Sequence, residues 1–322
     1  MMNIRSFDWR DLPVLHRYRN SGLFLDTALL LTRGPASVPA GAVFSAPSLG
    51  GGVFTYLCDD DQAHRQPLLV QVTHNDGSTF ARLSYLAPDE SITSADLPAL
   101  LDHLAISVGE RGAFHILAEV DERLQAFDVL RRSGFAIYAC QRIWKFGDDS
   151  KGKPAASVWR KCTSQDVLRV RTLYSDLVPG LVQQVEPLPR QHLRGMVYYQ
   201  DGVMLAYVEL HYGSTGIWVQ PFIHPDAHDF DATLGDLLHT LPGRRGRVVY
   251  ICVRSYQSWL EGMIEAVGAV PGDSQAVMVR HLSVARRAAQ PVTLPSINGT
   301  RAEPITHIVL NPDKRDQRAA GK

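Results

Sequence analysis

The sequence predicts an α/β protein in which one fold is used twice in tandem. Three observations predict it. Residues 68–104 lie on residues 205–241 at a constant shift of 137, without a gap, and such self-similarity is the first thing to read in a chain. Within that match, Pro88, Asp89, Leu97, Leu100, Leu101 and Leu104 meet Pro225, Asp226, Leu234, Leu237, Leu238 and Leu241, so both copies read as a strand, a Pro-Asp turn and a helix. Finally, 322 residues with 45% hydrophobic and 20% charged side chains suit two globular domains, each burying its own core.

In the first copy, residues 4–7 read as a strand and 11–19 as a helix behind an Asp cap. Residues 38–52 are rich in Gly, Pro and Ser and read as an exposed loop that ends in Gly50, Gly51 and Gly52. No helix with Lys-Ser/Thr follows these glycines, so they form a turn rather than a phosphate loop. Residues 53–57, 68–73 and 80–86 are strands separated by turn-rich CDDDQAHRQP and HNDG. Residues 94–108 place Leu97, Leu100, Leu101, Leu104 and Val108 on one helical stripe. A buried strand at 113–120, a helix at 121–132 ended by Gly134, and a strand at 135–146 complete the copy.

GDDSKGKPAAS, residues 147–157, has linker composition. The order then repeats: strand 158–161, helix 165–177, strands 196–200, 203–210 and 217–223, helix 232–241, strand 247–253, helix 258–267 ended by Gly268, and strand 276–282. The expected domains are therefore 1–146 and 158–283. The tail, 284–322, is polar and broken by prolines, with only residues 305–310 able to pair as a strand. Its seven Lys/Arg against three Asp/Glu make it mildly basic and solvated.

Lys+Arg and Asp+Glu are both 33, so the charge proposes no nucleic-acid partner. The N-terminus carries charges where a signal peptide needs an apolar run. The apolar stretch 23–31 is too short to span a bilayer and contains Asp26. Cys58, Cys140, Cys162 and Cys252 are scattered, as reduced thiols of a cytoplasmic protein are. The run His224-Pro-Asp-Ala-His228 has no second ligand cluster near it in sequence, so no metal is expected. Trp9, Trp144, Trp159, Trp218 and Trp259 are expected mostly in cores or between the halves.

The order of elements resembles the GNAT superfamily of N-acetyltransferases. Three local features carry the resemblance: Ile4-Arg5 with Asp11, echoed by Arg160 and Asp166; the strand, Pro-Asp and Leu-Leu helix of both copies; and Leu130-Arg-Arg-Ser-Gly-Phe135. The resemblance implies two GNAT-like domains, each a mixed, mostly antiparallel splayed sheet flanked by helices. It implies acetyl-CoA as co-substrate and a small-molecule or peptide amine as acceptor. The pantetheine arm would lie where the central strand splays from the next one, and the pyrophosphate at the following helix N-terminus. That places acetyl-CoA against Leu86 in the first half and against Ile223, Ala227 and His228 in the second.

The sequence departs from the family at those loops. Pro88-DESITSAD and Pro225-DAHDFDAT hold no Gly, Arg or Lys, and their carboxylates compete with a pyrophosphate for the helix N–H groups. The family's tyrosine acid falls on Leu130 and Ile264, and the polar residue usual earlier in that helix falls on Arg123 and Gln257. The strand carboxylates Glu119 and Glu209 are candidate bases. Tyr256 is the candidate replacement acid and Gln257 a neutral hydrogen-bonding group. Pro221 interrupts the second central strand, where it marks a bulge or an unpaired edge and removes one N–H. Two functions remain: an acyl-CoA-dependent N-acyltransferase, and a degenerate binding or scaffolding protein that does not bind acetyl-CoA.

Overall fold

The computed structural model describes residues 2–36, 52–60, 67–147, 158–189, 193–227 and 230–282. Most of the 38–52 loop, the linker after Gly147, His228 and the tail with residues 305–310 lie outside the described residues.

The first half runs β1 (Met2–Ser6), α1 (Leu12–Tyr18), β2 (Leu23–Phe24), α2 (Thr27–Arg33), β3 (Val53–Asp60), β4 (Leu68–Thr73), β5 (Phe80–Ala87), α3 (Leu97–Glu110), β6 (His115–Val120), α4 (Gln125–Arg132) and β7 (Ala136–Phe146). The second runs β8 (Arg160–Lys161), α5 (Val167–Leu177), α6 (Gly180–Val185), β9 (Gly195–Gln200), β10 (Val203–Tyr212), β11 (Gly216–Ile223), α7 (Phe230–Thr240), β12 (Val248–Arg254), α8 (Leu260–Ala266) and β13 (Val270–His281). Gly134 and Gly268, at φ +87° and +89°, end α4 and α8 in the left-handed conformation that a side chain would strain.

All strands but β2 form one path, β1-β3-β4-β5-β6-β13-β7-β12-β11-β10-β9-β8, while β2 pairs with β5. Among the described strands only β5–β6 and β11–β12 run parallel. The centre of the path holds an exchange. β13 pairs with β6 of the first half and β7 pairs with β12 of the second, while β7 and β13 pair with each other. The cores follow the same exchange. Ala276 and Met278 of β13 pack with Leu86 and the stripe Leu97, Leu100, Leu101 and Leu104 of α3. Trp144 and Phe146 of β7 pack with Leu234, Leu237 and Leu238 of α7. Each buried leucine, methionine or phenylalanine among these contributes about 1.5–3 kcal/mol. On the other face, α5 and α6 cover Tyr138, Val277 and Phe222.

The constant shift of 137 holds for both central strands only after a bulge. Gln71 pairs with Tyr85 but Val72 pairs with Leu83, so Ser84 is an extra residue on β5. Leu86 and Ile223 both face their helix layers. Before the bulge one residue of slip reverses the faces: Phe80 packs towards α5 and α6, whereas Ile217 packs under α7.

The opening motif builds the same device twice. Arg5 donates to both oxygens of Asp11 at 2.6 and 2.7 Å, and Arg160 to both of Asp166 at 2.7 and 2.6 Å. Asp11 also accepts from Asp8 N, and Asp166 from Thr163 N, each within a capping box. The arginine bonds hold both carboxyls below the usual range. The stability they supply is therefore complete above about pH 4 and is lost as pH falls through the lowered values. Asp166→Ala is expected to cost about 1–2 kcal/mol in urea unfolding at neutral pH, with the deficit shrinking in acid.

Three thiols, Cys58, Cys162 and Cys252, are buried and Cys140 is half-buried, none of them in a disulfide. Burial pushes the Cys252 thiol up to about 12. Trp144, Trp159 and Trp218 are core residues, whereas Trp9 and Trp259 are exposed, 72% and 41%. Among the described residues no helix is long and apolar enough to cross a membrane.

Candidate functional site

Each parallel pair opens part-way along. β5 and β6 pair from Phe80↔His115 to Arg82↔Leu117, and β11 and β12 from Gly216↔Val248 to Val219↔Ile251. Beyond those points the strands diverge, leaving main-chain groups facing a gap. The two gaps are filled differently.

In the first half the chain's own backbone fills the gap. Leu23 and Phe24 pair with Leu86 and Tyr85. Leu25 N donates to Ser84 O at 3.0 Å, and Glu119 N donates to Leu25 O at 2.8 Å, so the segment bridges both strands. Asp89 N, at the turn after β5, donates to Ser21 O at 2.9 Å. A Cβ on Gly22 would fall 2.1 Å from the Tyr85 ring, so only glycine lets the chain pass. Leu86, expected beside a cofactor, is instead fully buried with Leu23 across from it.

In the second half a single side chain fills the gap. Gln257 sits in the short turn Ser255–Gln257 directly after β12 and is 2% exposed. Its Nε2 donates to Pro221 O at 3.0 Å, and Ile223 N donates to its Oε1 at 3.1 Å. The carboxamide thus pairs with β11 as a neighbouring strand would. Pro221 O faces this gap, so the hydrogen missing from Pro221 N is missing there as well. The register with β10 runs through Pro221 unbroken, so there is no bulge. Ile223 and Ala227 are buried beside the gap, and His228 lies outside the described residues.

On the sheet face towards α2, α5 and α6, a cleft of about 2430 Å³ takes lining from both halves. Glu209, Glu119 and Tyr256 all line it, and the buried Gln257 follows Tyr256 in the same turn. Glu209 on β10 is mostly buried, with His211 Nε2 at 3.4 Å. Tyr256 is partly buried, and burial raises its phenol. Glu119, a candidate base from the sequence, is 3% exposed and committed: Thr27 N donates to it at 2.9 Å and Arg82 approaches at 3.4 Å. Leu130 and Ile264, at the family's tyrosine positions, are fully buried core residues, and Arg123 is a surface partner of Asp121 and Asp273.

Four floor residues escaped the sequence reading. Glu186, just after α6, pairs with Arg82 of β5 at 2.6 Å and with Arg254 of β12 at 2.8 Å, joining the halves. Burial pushes Glu186 up, but Arg254 and Arg82 outweigh it and hold the carboxyl below the usual range. Asp26 caps α2 by accepting from Leu29 N at 2.9 Å, and burial raises its carboxyl, helped by Glu119 and opposed by Arg82. The signal for three of them was present: an arginine inside FARLSYL or VVYICVR, or an aspartate inside LFLDTALL, is a charge where burial is expected.

No family model and no curated protein matches the sequence. Solved structures do match the fold. A GCN5-related N-acetyltransferase from Sphaerobacter thermophilus superposes with TM-score 0.55 at 9% identity, over 87% of this chain and 95% of that one. A putative acetyltransferase from Pyrococcus horikoshii superposes with TM-score 0.52 at 11% identity, over 88% and 90%. A tandem GNAT protein from the clavulanic acid biosynthesis pathway reaches TM-score 0.49 at 13% identity, over 87% and 98%. The first two of these show the fold, which is the one those acetyltransferase structures have.

Proposed function

We propose that this is an acyl-CoA-dependent N-acyltransferase with one working gap, that of the second half. One observation carries the reading. The first gap is closed by main-chain pairing along residues 21–25, whereas the second is closed by one side chain and opens towards Tyr256 and Glu209. An acyl-CoA would take over the two hydrogen bonds that Gln257 makes to Pro221 and Ile223, with the thioester reaching the cleft. Ile223 would flank the pantetheine, and the backbone at Ala227 and His228 would meet the pyrophosphate. Asp226 opposes that contact by roughly 1–4 kcal/mol if it stays within about 4 Å.

In the transfer, a neutral amine nitrogen attacks the thioester carbonyl, the C–N bond forms and the C–S bond breaks. The amine proton passes to Glu209, and the departing thiolate takes a proton from Tyr256, whose buried phenol keeps it through the neutral range. Glu119 has no free role; it positions Thr27 and Arg82. A cytoplasmic location belongs to the proposal and rests on four cysteines of which none forms a disulfide.

A second reading, a binding protein without transfer, is favoured by the Gln257 carboxamide and by the missing N–H of Pro221. Calorimetric titration of acetyl-CoA separates the two. The expected result is at most one site, weak in the wild type and about tenfold tighter in Gln257→Ala, which removes the competing amide. Absence of binding in both proteins leaves only the second reading. Two sites per chain would mean that the first gap is not closed.

A further inference from the structure

The floor of the cleft selects among amines. We propose that its ligand is a small zwitterion, a molecule carrying a primary ammonium and a carboxylate a few atoms apart. As the acceptor of the acyl group, this ligand rests on the transferase reading; as a bound ligand it does not.

Arg254 supplies the first observation. It lines the cleft and is 3% exposed, and only Nη2 is used, on Glu186. Its Nε and Nη1 meet no acceptor among the described residues. Nε and Nη1 lie on different edges of the guanidinium, each shared with Nη2, so each is a separate donor that an oxygen acceptor would satisfy. Two unfilled buried donors of this kind point to an anionic or carbonyl group on the ligand.

The carboxylates supply the second. Asp26, Glu119, Glu186 and Glu209 line the same cleft, against Arg82 and Arg254 as the guanidiniums of the floor. Asp26 is 6% exposed and has no cation within ion-pair distance among the described residues. Arg33, Arg160, Lys161 and Arg194 also line the cleft, but all four are exposed, and solvent screens them. A simple diamine would satisfy the surplus acids and leave the two Arg254 donors unfilled. A simple dicarboxylate would reach Arg254 only across the acids. A zwitterion meets both, and its ammonium falls on the side of Glu209, where the proton must leave.

The test uses the full chain without acetyl-CoA. Putrescine, succinate, glycine, 4-aminobutyrate and glutamate are titrated by calorimetry and by thermal shift. The expected result is that at least one zwitterion binds about tenfold more tightly than both putrescine and succinate. Glu209→Gln and Arg254→Lys should each weaken that zwitterion by about tenfold, the second because a lysine has no counterpart to the Nε and Nη1 donors. Should Arg254→Lys fail to fold, Glu209→Gln and the ligand series still decide. Equal or tighter binding of putrescine, equal or tighter binding of succinate, or no binding of any probe at millimolar concentration overturns the proposal. A bound zwitterion that is never acetylated leaves this inference standing and removes the transferase reading. Acetylation of amines lacking a carboxylate, with no preference for zwitterions, does the reverse.

Discussion

Produced separately, residues 1–147 and residues 158–322 are expected to give no cooperatively folded protein, and produced together they are expected to give a one-to-one complex. The reason is the exchange of β7 and β13. Without the second half, β6 loses its ladder to β13 from Val120↔Ala276 to His115↔His281. β7 then has neither of its neighbours. The first core also loses Ala276 and Met278, and the second, cut the other way, loses Trp144 and Phe146. Long unpaired apolar edges of this kind favour aggregation over folding. Thermal denaturation of each fragment, alone and mixed, is the measurement. A sharp, reversible transition in either fragment alone would show that its core closes without the exchanged strand.

Glu186→Ala is expected to be among the most destabilising single substitutions in the chain, at about 3–5 kcal/mol. It leaves Arg82 and Arg254 facing one another without their shared carboxylate, and two of Arg254's three nitrogens already lack partners among the described residues. The sign with pH follows from the lowered carboxyl. The stability that Glu186 adds is complete above the ordinary carboxylate range and is lost as pH falls below it. The variant's deficit should therefore be largest at neutral pH and shrink in acid. Replacing all three residues together, Arg82→Met, Glu186→Leu and Arg254→Met, should recover much of the loss, because the charges no longer have to be desolvated. Urea unfolding of the wild type, the single variant and the triple variant checks both statements. A Glu186→Ala midpoint equal to the wild type would mean that the pairs contribute nothing to stability.

Periodicity and turn chemistry made most elements legible. The apolar stripe of α3, the capping pairs Arg5–Asp11 and Arg160–Asp166, and the closing glycines Gly134 and Gly268 are all local signals. The elements that escaped depend on tertiary partners. β2 is a strand of two residues that exists because β5 and β6 leave room for it. β13 begins at Val270, through Pro271-Gly272-Asp273-Ser274, because β7 offers a partner there. That run reads as a turn in isolation. The site divides the same way. Glu209, Tyr256 and Gln257 were expected from strand and helix positions, and the first and second of them line the cleft. The polar floor was not, since Arg82, Glu186 and Arg254 are 68 to 172 residues apart in sequence and meet only through the fold. Nor does sequence spacing reveal that Gln257 reaches back to β11, because the glutamine looks the same whether it serves a ligand or the strand.

The crossing of β7 and β13 also sets a timetable for synthesis. Val120, the last residue of β6, leaves the ribosome 150 residues before Val270, the first of β13. At ordinary elongation rates that interval is on the order of 10–30 s, far longer than a small domain needs to collapse. For all of it the nascent first half carries an open strand edge at β6, and β7 waits beside it without its permanent neighbours. Either β7 lies provisionally against β6 and is displaced when β13 arrives, or the edge is held by a chaperone. In both cases, slowing translation over residues 147–270 lengthens the exposed interval, and the yield of soluble chain should fall with it.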